Sequence, residues 1–311
     1  MCCKNKEEKG RDAGVKRYQR ARKPAWLRRK LPTSPEYERV RKLIGSSCLH
    51  TVCQEANCPN QWECFSSRTA TFMILGETCT RGCRFCNIHG GNPLPPDPEE
   101  PRRVAEAARE LGLSYVVVTS VTRDDLKDGG AAHFAATIRA LKEAIKGVCV
   151  EVLIPDFQGD EKALQTVLAA KPDVLNHNVE TVPRLYSRVR PEAVYKRSVA
   201  LFRNVKRLAP EIPGKSGLML GLGETEGEVA AVLEDLLDAG VSMVTIGQYL
   251  QPSKEHLPVE AYMEPEVFEA WQKRALAMGF LDAACGPFVR SSYKARELFE
   301  HEKTQEKRCT L

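Results

Sequence analysis

The 311-residue chain has no apolar run approaching the roughly 18 residues that a membrane-crossing helix needs. Its first residues, Met1-Cys-Cys-Lys-Asn-Lys-Glu-Glu-Lys, lack the apolar stretch of a secretory leader. These two absences predict a soluble, cytoplasmic protein with no membrane partner. A disulfide scaffold is also missing. Such scaffolds are short and secreted, whereas here 12 cysteines are spread over a long chain. Six of them form two tight triplets, a pattern that fits metal binding or chemistry. The other six (Cys2, Cys3, Cys48, Cys149, Cys285, Cys309) are scattered and receive no role. With 42% hydrophobic residues the chain can bury a sizeable core, predicting one catalytic domain with extensions.

Excess positive charge is confined to one region. Residues 1–45 hold 15 Lys and Arg against 5 Asp and Glu, and the remainder of the chain is net negative although the whole is +5. This basic extension is predicted to be partly disordered, and tails of its kind contact nucleic acid, membrane surfaces or acidic proteins, or nothing at all. A short helix with Tyr37, Val40, Leu43 and Ile44 on one face is predicted over residues 35–44.

The chain is organised around Cys79-Thr-Arg-Gly-Cys83-Arg-Phe-Cys86, a C-x3-C-x2-C loop directly after the apolar run at residues 71–76. Three thiolates so close share one metal centre. Thiolates select zinc, Cu(I) or iron-sulfur clusters, but structural zinc takes four protein ligands, usually paired as C-x2-C. Here the fourth is absent. A [4Fe-4S] cluster held by three cysteines instead of four leaves one iron open to an outside ligand. Gly82 is expected to let the loop curl, and Phe85 to shield the centre or present a flat face. The loop resembles the signature of the radical S-adenosylmethionine (SAM) superfamily. That resemblance implies that the open iron chelates SAM and that its sulfonium is cleaved to a 5'-deoxyadenosyl radical. A structural zinc knuckle is the alternative.

A second triplet, Cys53, Cys58 and Cys64, precedes it with C-x4-C-x5-C spacing. On spacing alone a zinc loop completed by Cys48 or His50 remains open. Read as His50-Thr-Val-Cys53, Glu55-Ala-Asn-Cys58-Pro-Asn60 and Glu63-Cys64, the stretch resembles the auxiliary-cluster motif of the lipoyl synthase family.

Beyond a Pro-rich loop at residues 93–101, helices and short apolar strands alternate. Strands are expected at 69–75, 115–120, 148–154, 174–179, 216–222 and 243–249. Helices are expected at 104–111, 131–145, 161–170, 194–208, 226–239 and 266–278. This order predicts an α/β fold with parallel strands joined by right-handed crossovers, a partial (β/α)6 TIM-type barrel. The extensions at its two ends are expected to carry the auxiliary cluster. In such barrels chemistry sits at the carboxyl ends of strands. Those ends carry the cysteine loop, Thr119 and Ser120, Asn176 to Glu180, and Gly217 to Thr225. Their hydroxyls, amides and carboxylate suit SAM, with Asn178 and Glu180 the preferred contacts. Gly221 and Gly223 either let adenine lie on backbone or simply turn the chain into a helix. His177 reads as a structural histidine.

Near the carboxyl end, Arg290-Ser-Ser-Tyr293 resembles the family's terminal motif, which implies that Ser292 completes the auxiliary cluster with Cys53, Cys58 and Cys64. The family-like stretch runs from about His50 to Tyr293. The resemblance implies two [4Fe-4S] clusters and two SAM per product. It also implies two sulfur atoms inserted at C6 and C8 of an octanoyl group on a lysine of a lipoyl carrier domain, of H-protein or 2-oxoacid dehydrogenase E2 type. The auxiliary cluster is implied as sulfur donor, and ferredoxin or flavodoxin as electron donor. Such a substrate needs a radical, since an alkyl C–H has no acidity for a base to exploit. Competing readings are a biotin synthase-like sulfur-inserting enzyme and a zinc-loop nucleic-acid-binding protein, although no nucleic-acid partner is expected. The expected segments are 1–45 (basic extension), 46–68 (auxiliary-cluster segment), 69–283 (barrel) and 284–311 (terminal extension).

Overall fold

The structure is a computed structural model that describes residues 23–27, 35–47, 49–56, 58–66, 71–293 and 295–300. Most of the basic extension, Cys2, Cys3, Cys48, Cys309 and the last eleven residues lie outside them. No helix of the described residues is long and apolar enough to cross a membrane.

The chain opens with α1 (Pro35–Ser46), which buries Val40 and Ile44, followed by β1 (His50–Thr51). Two short helices, α2 (Val52–Glu55) and α3 (Gln61–Ser66), carry the first cysteines. The Thr51 side chain accepts from the Gln54 N–H and so caps α2. β2 (Thr71–Ile74) leads to a two-stranded ribbon, β3 (Thr78–Cys79) with β4 (His89–Gly90). Then α4 (Glu100–Glu110), β5 (Tyr115–Ser120), α5 (Ala131–Ala144), β6 (Cys149–Leu153), α6 (Glu161–Ala169) and β7 (Val174–Asn176) alternate. After α7 (Tyr186–Val189) come α8 (Tyr195–Leu208), β8 (Gly214–Leu220), α9 (Glu226–Asp238), β9 (Val241–Gln248), α10 (Pro265–Met278) and β10 (Asp282–Gly286).

One sheet runs β1-β2-β5-β6-β7-β8-β9-β10, parallel except for β1. The six expected strands are its centre. It is longer than expected by one strand at each edge, because β1 has two residues and β10 is Asp-Ala-Ala-Cys-Gly, neither of which carries a β-branched apolar run. The sheet is not closed, so it is a partial barrel. Helix α4 starts inside the predicted loop, with Pro101 at its first turn, where a missing N–H costs nothing.

Alternation along the strands sorts the barrel interior into layers. At the amino-terminal end, Tyr115, Val117, Val174 and Met243 form an apolar cluster with Ala295, Leu298 and Phe299 of the helical residues 295–300, which plug that mouth. Above it lies a buried polar layer. Lys215 Nζ sits 3.0 and 3.1 Å from the two Glu151 carboxylate oxygens, which also accept from Tyr115 Oη (2.6 Å) and Asn176 Nδ2 (2.9 Å). Burial and the Glu151 charge push the Tyr115 hydroxyl far up, so it stays a phenol and a donor. The next inward residues, Thr119, Leu153, Gly217, Met219, Thr245 and Gly247, line a cavity.

Candidate active site

The cavity has a volume of about 580 Å³ and reaches from the carboxyl ends of the strands into the barrel. Cys79, Cys83 and Cys86 line it at one side, and Cys53, Cys58 and Ser292 line it at another. Met73, Leu153, Leu218 and Met219 also line it.

The first triplet is positioned by the exit from β2. Leu75 and Gly76 both take left-handed backbone, φ +69° and +86°, which ends the strand and turns the chain outward. For Leu75 that conformation costs energy. It is held by the Glu100 carboxylate, which accepts from the Leu75 N–H at 2.8 Å, and by Arg123 donating to the Leu75 carbonyl. Within the loop, the N–H groups of Arg81 and Thr122 donate to Cys79 Sγ at 3.4 and 3.3 Å. The Arg81 side chain is buried and forms a bidentate pair with Asp124 (2.6 and 2.9 Å) and a third bond to Asp156 (2.6 Å). Desolvation opposes the Asp156 charge, yet the Arg81 guanidinium wins and holds that carboxyl down at about 2. On the other flank the Arg84 N–H donates to the Val189 carbonyl at 2.8 Å, and His256 Nε2 lies 2.9 Å from the Cys86 carbonyl, so that nitrogen carries the donated proton. Gly82 is not what lets the loop curl. Its φ is not positive, and an added Cβ would meet only Glu192 Oε1 at an ordinary 3.6 Å. Phe85 is partly buried and lines the cavity.

The second triplet is assembled from both ends of the chain. Cys53 lies in α2, Cys58 follows it, and Cys64 lies in α3. Three long-range hydrogen bonds bring the terminal motif to them. Asn60 Nδ2 donates to the Phe288 carbonyl (2.7 Å), Thr71 Oγ1 to Ser292 Oγ (2.9 Å), and Tyr293 Oη to Glu63 Oε1 (2.8 Å). Thr71 also makes a backbone hydrogen bond to the Cys53 thiol. A single residue therefore touches both a thiol of the triplet and the serine hydroxyl expected beside it. Thr71 carries no motif, and sequence reasoning passed over it. His50, offered as a possible fourth ligand, faces elsewhere: its Nδ1 lies 3.2 Å from Glu55 Oε1, close also to Glu77.

Burial pushes the Cys53 and Cys86 thiols up to about 12 and that of Cys83 to about 11. Such thiols stay protonated at neutral pH until a metal displaces the protons. The donor sets, three thiols in the first and three thiols with a serine hydroxyl beside them in the second, are of the soft kind that holds an iron-sulfur cluster.

Asn178 and Glu180 face the cavity, with Asn178 Nδ2 donating to Glu180 Oε1 at 3.0 Å. Burial pushes the Glu180 carboxyl up, against the nearby Arg190 charge. Asn178 Oδ1 and Ser120 Oγ are buried without a partner, which marks them as sites for an added hydrogen-bonding ligand. Asn176 lies lower, on Glu151. Gly221 and Gly223 do not line the cavity. They form the turn into α9, whose N–H groups at Gly221 and Leu222 are closed by the Glu224 carboxylate. His177 is engaged at both nitrogens, by the Ile154 carbonyl (2.8 Å) and Ser198 Oγ (2.9 Å).

Burial lowers the His177 imidazole to about 4 from an ordinary 6.5. The unfolded chain therefore binds a proton that the folded chain refuses, so stability is full above pH 6.5 and falls as pH drops towards 4. The slope from this residue is about 1.4 kcal/mol per pH unit. Urea unfolding of the parent at pH 7, 6 and 5 is expected to show this slope, and His177→Asn to flatten it.

The family model of the radical SAM superfamily matches residues 73–236, and that of the N-terminal domain of lipoyl synthase matches residues 3–58. The chain is 59% identical to a lipoyl synthase of Caldanaerobacter subterraneus subsp. tengcongensis over 88% of its own length and 96% of the relative's. It is 57% identical to that of Oleidesulfovibrio alaskensis, over 90% and 95%. Among solved structures it is similar in fold to the hydrogenase maturase HydG (TM-score 0.55, 14% identity, 85% of this chain and 70% of that one). It is also similar to Streptococcus suis SuiB bound to S-adenosylmethionine (TM-score 0.53, 9% identity, 70% and 51%). The chain is thus a radical SAM protein and belongs to the lipoyl synthase family.

Proposed function

We propose that the chain inserts two sulfur atoms, at C6 and C8, into an octanoyl group carried on a lysine of a lipoyl carrier domain of H-protein or E2 type. In this reading Cys79, Cys83 and Cys86 hold a [4Fe-4S] cluster with one open iron. Asn178 and Glu180 contact the SAM bound there, and Cys53, Cys58, Cys64 and Ser292 hold a second [4Fe-4S] cluster. When bound, these groups supply the hydrogen-abstracting radical and the inserted sulfur. Two C–H bonds are broken, so two SAM are used per product. The catalytic domain is the barrel over 69–283, with segments 46–68 and 284–311 carrying the second centre and 1–45 a basic extension. A ferredoxin or flavodoxin serves as reductant, in the cytoplasm.

The observation that carries this reading is the cavity lined by Cys79, Cys83 and Cys86 together with Cys53, Cys58 and Ser292; Cys64, in α3, is not among its lining residues. The chain's own task there is placement and exclusion of water. Met73, Leu153, Leu218 and Met219 give an apolar path for an acyl chain. Arg81, clamped by Asp124 and Asp156, keeps the first loop in one position. Thr71 holds the Ser292 hydroxyl against the second triplet. A hydroxyl oxygen is a harder ligand than thiolate, which makes Ser292 the exchangeable member of its set.

The test is an anaerobic single turnover of the iron-loaded chain with SAM, a strong reductant and an octanoyl-lysine peptide. About eight irons per chain and a peptide heavier by two sulfurs, less two hydrogens, are expected. Cys58→Ala should still cleave SAM but leave the peptide unchanged, whereas Cys83→Ala should lose both. Zinc in place of iron, or SAM cleavage surviving in Cys83→Ala, would overturn the assignment.

A further inference from the structure

The turn that presents Asn178 and Glu180 is held only in part by its own residues, through Asn178 Nδ2 on Glu180 Oε1 (3.0 Å) and the Thr181 N–H on the Val179 carbonyl (2.8 Å). β7 ends at Asn176, and Glu180 then adopts a left-handed backbone, φ +65°, a conformation costly for any residue with a Cβ. Part of the compensation comes from β8, where the Glu180 N–H donates to the Gly217 carbonyl and the Met219 N–H to the Glu180 carbonyl, each at 2.9 Å. A further part comes from Arg190. Its Nη1 donates to the carbonyls of Asn178 (2.8 Å) and Val179 (3.2 Å), the two peptide oxygens immediately before the strained residue. Its guanidinium lies 5.4 Å from the centroid of the Tyr186 ring, whose hydroxyl donates to the same Val179 carbonyl at 2.8 Å.

Arg190 also stands at a junction. The residue before it, Val189, offers the carbonyl that receives the Arg84 N–H of the cysteine loop. Arg190 is 8% exposed and itself lines the cavity. One short segment therefore bonds the cysteine loop through one residue and the 178–180 turn through the next.

We propose that Arg190 is a positioning residue for the first centre. It holds the 178–180 turn at one fixed spacing from the cysteine loop, so that the two halves of the cofactor site move as one body. The inference rests on Asn178 and Glu180 contacting SAM. Arginine suits this role, because its Nη1 reaches both neighbouring carbonyls while the guanidinium face stays on the Tyr186 ring. A lysine ammonium reproduces the charge without the stacking.

The experiment compares Arg190→Gln, Arg190→Lys, Glu180→Gln and Asn178→Ala with the parent as full-length, iron-loaded chains. Iron content, thermal unfolding, SAM affinity and the electron paramagnetic resonance spectrum of the reduced first cluster, with and without SAM, are read together. Arg190→Gln is expected to keep the parent's iron and its SAM-free spectrum. Its SAM affinity should fall about tenfold or more, the scale of a lost charged hydrogen-bond donor, and its spectrum at saturating SAM should differ from the parent's. Arg190→Lys should recover part of the affinity, and it carries the test if Arg190→Gln does not fold. Adding Glu180→Gln to Arg190→Gln should weaken SAM no further, since both act through one turn. Parental SAM affinity and spectrum in both Arg190 variants, with Glu180→Gln weakened, would overturn the role of Arg190 and leave the site reading intact. So would an affinity loss that only tracks lost iron. Parental affinity in both Glu180→Gln and Asn178→Ala would overturn the site reading, and this inference with it.

Discussion

Gly247→Ala is expected to remove the second centre while sparing the first. An added Cβ at this β9 position would collide with the Val289 carbonyl and crowd the Arg290 guanidinium at 3.3 Å. Strand β9 is fixed on both sides, by β8 and β10, with Gly247 opposite Met219 and Gly286. The clash must therefore be relieved by the 287–293 loop. Moving that loop breaks the Asn60 to Phe288 and Thr71 to Ser292 hydrogen bonds and takes Ser292 from the triplet. Iron should fall from about eight to about four per chain, with SAM still cleaved and sulfur insertion lost. Iron analysis beside product mass checks this, and a variant with full iron and parental insertion would show that the loop has room to spare.

Lys215→Met is expected to destabilise the fold by about 3–5 kcal/mol, because it leaves the Glu151 carboxylate buried without its counter-charge. Both side chains are at most 1% exposed, so solvent cannot substitute. The natural stability of a domain is only about 5–15 kcal/mol, and much of the variant should therefore be unfolded at growth temperature. Lys215→Met combined with Glu151→Leu should recover most of the loss. What remains unrecovered is the Tyr115 hydroxyl and Asn176 amide left without their acceptor, at about 1–3 kcal/mol each. Denaturant unfolding of the single and double variants measures the coupling directly. Equal loss in both would mean that the pair contributes by shape and not by charge.

Much of this architecture is legible in residue order. The β5 strand, Tyr115-Val-Val-Val-Thr-Ser120, was found to the residue because a β-branched run between a helix and a loop has one reading. The α9 start is marked by Thr225 and Glu228, which form a reciprocal capping box. The cysteine triplets stand out because ligand spacing is local. The edges are less legible. Strand β10 is alanine-rich and pairs only because β9 is already in place, and β1 is two residues long. The role assigned to Gly82 failed for a related reason, and of the two readings of Gly221 and Gly223 it is the turn into the helix that holds. Whether a glycine is needed depends on what its missing Cβ would strike, and that is decided by distant chain.

The sequence by itself determined which chemistry is available: two sets of three soft ligands, a parallel α/β frame, and the order in which the motifs occur. These are local properties, set by spacing along the backbone and by apolar periodicity. Only the tertiary structure decided that Cys53 and Cys58 share one cavity with Cys79, Cys83 and Cys86, and that Thr71 joins Cys53 to Ser292, 221 residues from Thr71 along the chain. It also decided that the Glu151 and Lys215 charges meet beneath that cavity, and that Arg190 braces the turn at Glu180. Each of these is a contact between residues whose positions are fixed by different strands or helices. No spacing along the chain encodes it; the packing of the partial barrel does.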